Sequence, residues 1–186
     1  MNRFVVCDPQ LCIGCRTCEI ACVLAHVSGE QVGAIDAADF HPRVKVLKED
    51  EVSGAVMCRH CEDAPCASVC PNGAIVRAGD QSIQVLQDKC IGCKMCVLAC
   101  PYGAMTVRMQ KVVRYVQEQA VGFVYKAQAL KCDLCHSRAN GHGPACVQAC
   151  PTDALRVMGD EQLLALQKQR QQAALEMAAV VDGSRQ

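Results

Sequence analysis

Residues 90–101 read CIGCKMCVLACP, with four cysteines at the spacing C-x2-C-x2-C-x3-C and a proline directly after the last cysteine. Thiols at such short spacing can lie on one loop and point to a common centre. Cys100 follows the third cysteine by four residues, which is about one helical turn. The pattern therefore predicts a loop that gathers three thiolates, followed by a short helix that directs Cys100 toward a neighbouring centre.

The same grouping occurs four times and includes sixteen of the seventeen cysteines. The first quartet has the spacing of the third. The second has four residues before its third cysteine and the fourth has ten, while both keep three residues before the last cysteine. The quartets are Cys12, Cys15, Cys18, Cys22; Cys58, Cys61, Cys66, Cys70; Cys90, Cys93, Cys96, Cys100; and Cys132, Cys135, Cys146, Cys150.

The spacing of the first and third quartets is that of [4Fe–4S] ligation. A disulfide scaffold is disfavoured because the cysteine count is odd and no secretion signal is present. Zinc is the alternative metal, but paired zinc hooks require neither a third cysteine in the loop nor a proline after the fourth. The sequence therefore predicts four [4Fe–4S] clusters with these sixteen cysteines as iron ligands. Cys7, in an apolar run, is predicted to be a buried, inert strand cysteine rather than a ligand or redox sensor.

Composition excludes several classes of function. The 186 residues carry a formal charge of zero, so no basic excess indicates a nucleic-acid partner. The longest uncharged apolar stretches are too short for a membrane span, and the absence of a signal sequence predicts a cytoplasmic protein. No dinucleotide fingerprint, P-loop or nucleophile–base arrangement is present, so the chain is not expected to be catalytic alone.

Three quartets are followed by proline, a turn residue and an apolar segment, which predicts a repeated loop–helix–turn–strand unit. The first quartet lacks the proline, so its helix is expected to continue to about Val27. Lys111–Leu130 is rich in β-forming residues and predicts a hairpin turning before Gly122, with a helix as the alternative. Residues 160–181 predict a helix whose apolar stripe, which includes Leu163 and Met177, packs either on the body or on a neighbouring subunit.

Several polar residues lie in or beside the cysteine loops. His60 and His136 are expected to be exposed loop residues rather than iron ligands or proton relays. Cations there either raise cluster potentials or are simply solvated surface charges. These cations are Arg16, Arg59, Lys89, Lys94 and Lys131.

Over residues 1–158 the chain resembles the four-cluster ferredoxin-like electron-transfer subunits of molybdopterin oxidoreductases. The likeness is strongest to the soluble iron–sulfur subunits of formate hydrogenlyase and of related formate dehydrogenase and hydrogenase systems. The phrases that carry it are MNRF (1–4), CIGCRTCE (12–19), CEDAPC (61–66) and KCDLC (131–135).

The resemblance implies an α+β fold with two nested ferredoxin-like, double-cubane modules and a C-terminal helix. Residues 1–27 and 131–158 would form the outer module and 43–108 the inner one, with 109–130 as an insertion and 159–182 as the helix. It also implies four ligand sets, each with three cysteines of one quartet and one from another. They are Cys12, Cys15, Cys18 with Cys150; Cys132, Cys135, Cys146 with Cys22; Cys58, Cys61, Cys66 with Cys100; and Cys90, Cys93, Cys96 with Cys70.

The implied function is relay of single electrons between a large catalytic subunit and another redox partner. The catalytic subunit would be a molybdopterin or tungstopterin formate dehydrogenase, or a hydrogenase, and a further iron–sulfur or flavin subunit could join them. Two alternatives stay open. One is an accessory protein for maturation of such enzymes, and the other is a structural or multimerising module in which the clusters stabilise a small core.

Overall fold

A computed structural model describes residues 2–27, 35–117, 119–138 and 143–183. The helices are α1 (Thr17–Leu24), α2 (Pro65–Ser68), α3 (Met95–Ala99), α4 (Ala145–Gln148) and α5 (Asp160–Gly183), with a 3-10 turn at Ala37–Asp39. The strands are β1 (Phe4–Cys7), β2 (Lys45–Lys48), β3 (Ser53–Val56), β4 (Ile75–Arg77), β5 (Ile83–Val85), β6 (Thr106–Val116), β7 (Gln119–Leu130) and β8 (Leu155–Met158).

The strands of the described ranges form four separate antiparallel pairs: β1 with β8, β2 with β3, β4 with β5, and β6 with β7. The β1–β8 pair sets Phe4 opposite Met158 and Cys7 opposite Leu155, so it joins the start of the chain to the strand that follows the last quartet. The fold is therefore a mixture of helices and small antiparallel strand pairs with a C-terminal helix. This agrees with the predicted α+β class.

The same tight turn follows the last cysteine of three quartets. The amide of the third residue after the cysteine donates to the cysteine carbonyl, at 3.2 Å for Gly73, 3.2 Å for Gly103 and 3.4 Å for Asp153. Each of these residues has a positive φ, between 53° and 59°, which reverses the chain after the proline. Strands β4, β6 and β8 begin within three residues of these turns, so the predicted repeat of helix, turn and strand is confirmed.

Helix α1 ends at Leu24, three residues earlier than the predicted end at about Val27. The His26 side chain accounts for the difference. Its Nδ1 donates to the Cys22 carbonyl at 2.6 Å. The side chain therefore occupies a carbonyl that would accept a backbone amide if the helix continued for another turn. Its Nε2 lies 3.0 Å from Asp133 Oδ1, so the same ring also contacts the loop of the fourth quartet.

The buried apolar residues form two cores. The first core combines both ends of the cysteine-rich region with β2 and β3, and its members include Val5, Cys18, Val46, Met57 and Leu155. The second core lies between the second and third quartets, and its members include Ala74, Ile75, Ile83, Met105 and Ala129. None of these core members is aromatic, so cysteines and small aliphatic residues supply the interior.

Strands β6 and β7 form a long hairpin over the segment for which a hairpin or a helix is predicted. The chain reverses between Val116 and Gln119, which pair with each other, so the reversal precedes Gly122 in the chain, as predicted. Gly122 instead lies opposite Arg114, beside a register shift between Arg114 and Tyr115, and has a φ of 141°. The glycine therefore serves an irregularity within the ladder rather than the turn.

Helix α5 covers the predicted helical segment. Its described side chains from 161 to 178 are exposed except for Leu166, which is half-buried. Leu163 and Met177 of the predicted stripe are 39% and 72% exposed, so along this length the stripe is not covered by the body. Over the residues that the structure describes, no helix has the length and apolar character required to span a bilayer.

Candidate metal centres

Two cavities are each lined by four cysteines drawn from the second and third quartets. One contains Cys70 with Cys90, Cys93 and Cys96, and we call these four cysteines site 4. The other contains Cys100 with Cys58, Cys61 and Cys66, and we call these four site 3. Each site therefore takes three cysteines of one quartet and the last cysteine of the other, and the two cavities are similar in volume, at about 350 and 330 Å³ including their openings to solvent.

Two further groups of cysteines meet in and around the first core. The thiol of Cys146 interacts electrostatically with those of Cys132, Cys22 and Cys135, and we call these four site 2. The Cys15 thiol interacts electrostatically with Cys150, and the Cys18 thiol with Cys15. The Cys7 thiol contacts Cys12 and is near Cys150. We call Cys12, Cys15, Cys18 and Cys150 site 1.

The seventeenth thiol, Cys7, is half-buried in β1. It donates a weak hydrogen bond to the Asp8 carbonyl at 3.8 Å, and burial raises the pKa of the thiol. It lies beside site 1 but belongs to no quartet.

The residue before the second cysteine has a positive φ in every loop. It is Gly14 in the first quartet, His60 in the second, Gly92 in the third and Leu134 in the fourth. A left-handed residue here bends the backbone so that two cysteines separated by two residues can face the same centre. At Gly92 the conformation is reinforced by packing, because a Cβ atom there would collide with Ala127 of the hairpin.

Backbone amides donate to several of the thiol sulfurs. Ala74 N lies 3.3 Å from Cys70 Sγ and Ala104 N lies 3.4 Å from Cys100 Sγ, each across the turn after the proline. Arg43 N lies 3.3 Å from Cys22 Sγ and His60 N lies 3.4 Å from Cys58 Sγ. Such donors stabilise negative charge on sulfur, which is what a metal-bound thiolate requires.

Burial controls the protonation of the interior thiols. It raises the pKa of Cys18 and of Cys96 to about 11 and that of Cys132 to about 12. These groups therefore hold their protons at neutral pH unless a cation replaces them. A metal would supply that cation and displace the protons, so metal binding and ionisation of the thiols are coupled here.

The two cavities test whether the residues suit an iron–sulfur group. Four thiols line each cavity, no carboxylate or imidazole does, and most of the remaining lining is aliphatic. All-thiolate donor sets in apolar surroundings suit iron–sulfur clusters. Of the two residues between Cys58 and Cys61, Arg59 lines the cavity of site 3 and His60 does not.

His60 differs from its prediction. The residue was expected to be exposed in its loop, but its side chain is fully buried and Nδ1 accepts a hydrogen bond from Ile83 N at 2.9 Å. The partner lies 23 positions along the chain, so no local signal reveals it. His136 is exposed as predicted, with a side chain that is 50% accessible.

A buried ion-pair network supports the loop of site 2. The Asp133 carboxylate accepts hydrogen bonds from Arg43 and His26 and is only 7% exposed. Although burial acts against ionisation, these two partners hold the pKa of Asp133 below its usual range. Asp133 Oδ1 also accepts from Cys135 N at 3.1 Å, so the network fixes the backbone between two cysteines of the site.

Helices that start after cysteine loops, small strand pairs and all-thiol cavities define a ferredoxin-like iron–sulfur protein. The 4Fe-4S dicluster domain matches residues 52–161 and a 4Fe-4S binding domain matches residues 9–22. The chain belongs to the 4Fe-4S dicluster family, and it binds more than one [4Fe–4S] cluster.

Three relatives are similar over most of this chain. Electron transport protein HydN of Escherichia coli K12 is 48% identical over 178 residues, covering 94% of this chain and 99% of HydN. Putative electron transport protein YsaA of the same strain is 47% identical, covering 88% of this chain and 94% of YsaA. Putative oxidoreductase AegA is 51% identical and covers 91% of this chain, which corresponds to 24% of AegA.

Proposed function

We propose that this protein is an electron-transfer subunit that relays single electrons through four [4Fe–4S] clusters between a catalytic oxidoreductase subunit and a second redox partner. When bound, such clusters supply one-electron redox chemistry that no side chain of the chain provides. The observation that carries the proposal is the pair of cavities that are each lined by three cysteines of one quartet and the last cysteine of another.

The roles of the cysteines follow from these groups. We assign all members of sites 1, 2, 3 and 4 as iron ligands, with Cys150, Cys22, Cys100 and Cys70 as the ligands contributed from another quartet. We further propose nested modules, with sites 1 and 2 in the outer module and sites 3 and 4 in the inner one. The separation of the buried residues into two cores supports this arrangement.

The third cysteines of the quartets support a linear order of the sites. Cys18 of site 1 interacts electrostatically with Cys146 of site 2, and Cys66 of site 3 with Cys96 of site 4. Cys58 of site 3 packs in the first core with members of site 2, which supports a step between the modules. We therefore order the sites 1–2–3–4.

Exposure supports the two ends of this order. Cys15 of site 1 and Cys93 of site 4 are exposed, whereas all four cysteines of site 2 are buried. Electrons would therefore enter and leave at sites 1 and 4, while the interior sites are shielded from solvent and from adventitious oxidants.

The names of the relatives support the class of partner. HydN and YsaA are named electron transport proteins, and the chain matches only part of AegA, a putative oxidoreductase. The match to one part of a larger putative oxidoreductase is consistent with electron transfer to or from a catalytic partner. We propose formate dehydrogenase, hydrogenase or both as that partner, with a further iron–sulfur or flavin subunit as the second.

The test is anaerobic purification of the full chain alone and together with a candidate catalytic subunit. We expect a brown protein with about sixteen iron and sixteen sulfide per chain. We also expect stoichiometric association and complete reduction of the clusters when the partner's substrate is added. Stoichiometric zinc without a visible absorption band would contradict the cluster assignment. Clusters that the partner's substrate leaves oxidised would instead favour a structural module, and transient association would favour a maturation role.

A further inference from the structure

Lys131 is a buried cation at the border between the two cores. Its residue is only 3% exposed, and its ammonium donates to the Cys132 carbonyl at 2.6 Å. Two positions earlier, Ala129 belongs to the second core, and the next residue, Cys132, belongs to the first. The chain therefore crosses from one core to the other at this lysine.

No carboxylate of the described residues forms an ion pair with Lys131. The neighbouring Asp133 is engaged by His26, Arg43 and, more distantly, His136. A carbonyl satisfies one of the three ammonium hydrogens but does not balance the charge. Removing an ammonium from water without a counterion costs several kcal/mol in a protein interior, so an anion is expected nearby.

His60 does not supply that anion. It is fully buried, and an imidazole ring is either neutral or cationic, so it cannot balance the charge of an ammonium. Because Nδ1 accepts from Ile83 N, the ring proton is on Nε2, which has no partner among the described residues. The ring therefore offers a donor, and not a negative charge, at this border.

Cysteines of sites 2 and 3 lie near the Lys131 ammonium. The ammonium donates to the carbonyl of Cys132 of site 2, and it interacts electrostatically with Cys66 of site 3. A [4Fe–4S] cluster with four thiolate ligands is anionic, and its reduced form carries one more negative charge. A fixed cation between two such sites stabilises the reduced form of both.

We propose that Lys131 is the shared counterion of sites 2 and 3 and raises the reduction potentials of both clusters, so that an electron crosses between the modules at matched potentials. This inference rests on the proposed function, since it requires clusters at both sites. It identifies Lys131 as a residue that tunes the two interior centres without binding iron.

The experiment is a redox titration of the purified full chain, monitored by electron paramagnetic resonance, with the iron content measured in parallel. Lys131→Met removes the charge and keeps the length of the side chain. We expect two of the four centres to shift so that, at a fixed applied potential, the ratio of reduced to oxidised cluster falls at least tenfold, equivalent to about 59 mV for one electron. Loss of signal in the Cys22→Ser and Cys100→Ser variants identifies which centres belong to sites 2 and 3.

Lys168→Met is the matched control, because it removes the same charge from an exposed position of α5. It should leave all four potentials unchanged. Lys131→Gln provides a second neutral variant that can still donate to the Cys132 carbonyl, and it should show the same two shifts. Lys131→Arg keeps the charge and should keep both potentials near their original values.

Four unchanged potentials in either neutral variant would overturn the proposal, as would equal shifts of all four centres. If both neutral variants lose iron, the proposal requires Lys131→Arg to retain the full iron content. Loss of iron in all three variants would overturn the proposal. A wild-type chain without clusters would instead refute the proposed function, so the two failures are distinguishable.

Discussion

The two cores hold the same cysteine motif in different ways. The second core is built almost entirely from one continuous segment, residues 64–107, with Ala129 added from the hairpin. The first core joins Val5 to Leu155 and requires the β1–β8 pair to close it. Sites 3 and 4 therefore draw their cysteines from one stretch of chain, residues 58–100, although Cys58 packs in the first core, whereas sites 1 and 2 combine cysteines from distant parts of the sequence.

The supporting polar contacts differ in the same direction. Around site 2 a buried network joins His26, Arg43 and Asp133. In the chain, Asp133 is 107 residues from His26 and 90 residues from Arg43. Sites 3 and 4 are lined mainly by aliphatic side chains, and their sulfurs receive backbone donors from residues four positions away. The ion-pair network is thus a feature of site 2, while the loop of site 3 is held by single hydrogen bonds such as that from Arg77 to the Cys61 carbonyl at 2.6 Å.

Removal of iron should have the largest effect on the two cores. Both cores contain few large side chains, so metal binding supplies much of the folding free energy. We expect a chelator applied under anaerobic conditions to abolish amide protection in both the β1–β8 and β4–β5 pairs, measured by hydrogen exchange and circular dichroism. Readdition of iron and sulfide is the control and should restore protection. A β4–β5 pair that stays protected without iron would show that the local core folds unaided.

The next effect is the loss of single clusters through the exchanged cysteines. In the second core, Cys70→Ser should damage the centre held by the third quartet, and Cys100→Ser the centre held by the second. In the first core, Cys150→Ser should damage site 1. Iron content together with paramagnetic resonance measures each loss, and Cys7→Ser is the control that should retain four centres. Damage confined to the centre of the mutated cysteine's own quartet would contradict the exchange.

A pair of glycine substitutions gives a smaller effect and compares the two loops directly. Gly14 and Gly92 have nearly the same φ, 69° and 70°, so alanine should cost each loop about 1–2 kcal/mol from the left-handed conformation. A Cβ at Gly14 meets the flexible Lys48 side chain at 3.1 Å, whereas at Gly92 it collides with Ala127. We expect Gly92→Ala to cost about 1–3 kcal/mol more than Gly14→Ala, measured by chemical denaturation of the holoprotein.

A double variant isolates the steric part of this difference. Ala127→Gly in the Gly92→Ala background removes the Cβ that collides but leaves the Ala127 carbonyl oxygen 3.1 Å from the new methyl group. Partial recovery is therefore expected. Equal destabilisation by the two single substitutions would mean that the hairpin does not pack against the loop of site 4.

Sequence reasoning identified the local features of these cores and missed the long-range ones. The helix before Cys70, Cys100 and Cys150 and the turn and strand after each could be predicted because proline and short spacing determine them within a few residues. The burial of His60 could not, because it depends on Ile83. The early end of α1 likewise depends on Asp133, 107 residues from His26.

The smallest expected effect on the clusters comes from deletion of α5. Its described side chains are exposed from 161 to 178 apart from the half-buried Leu166, and its first turn is capped locally by Gln162 Oε1, which accepts from Gly159 N at 3.0 Å. A chain ending at Gly159 should therefore retain both cores and all four centres, with unchanged iron content and potentials. The same deletion removes the exposed stripe at Leu163 and Met177. We therefore expect it to abolish association with the catalytic partner, or self-association, in gel filtration under anaerobic conditions. Leu163→Asp is a matched variant that keeps the helix and should reproduce the loss of association. Loss of clusters on truncation would show that α5 supports the first core through β8, and normal binding by both variants would exclude the helix as a docking element.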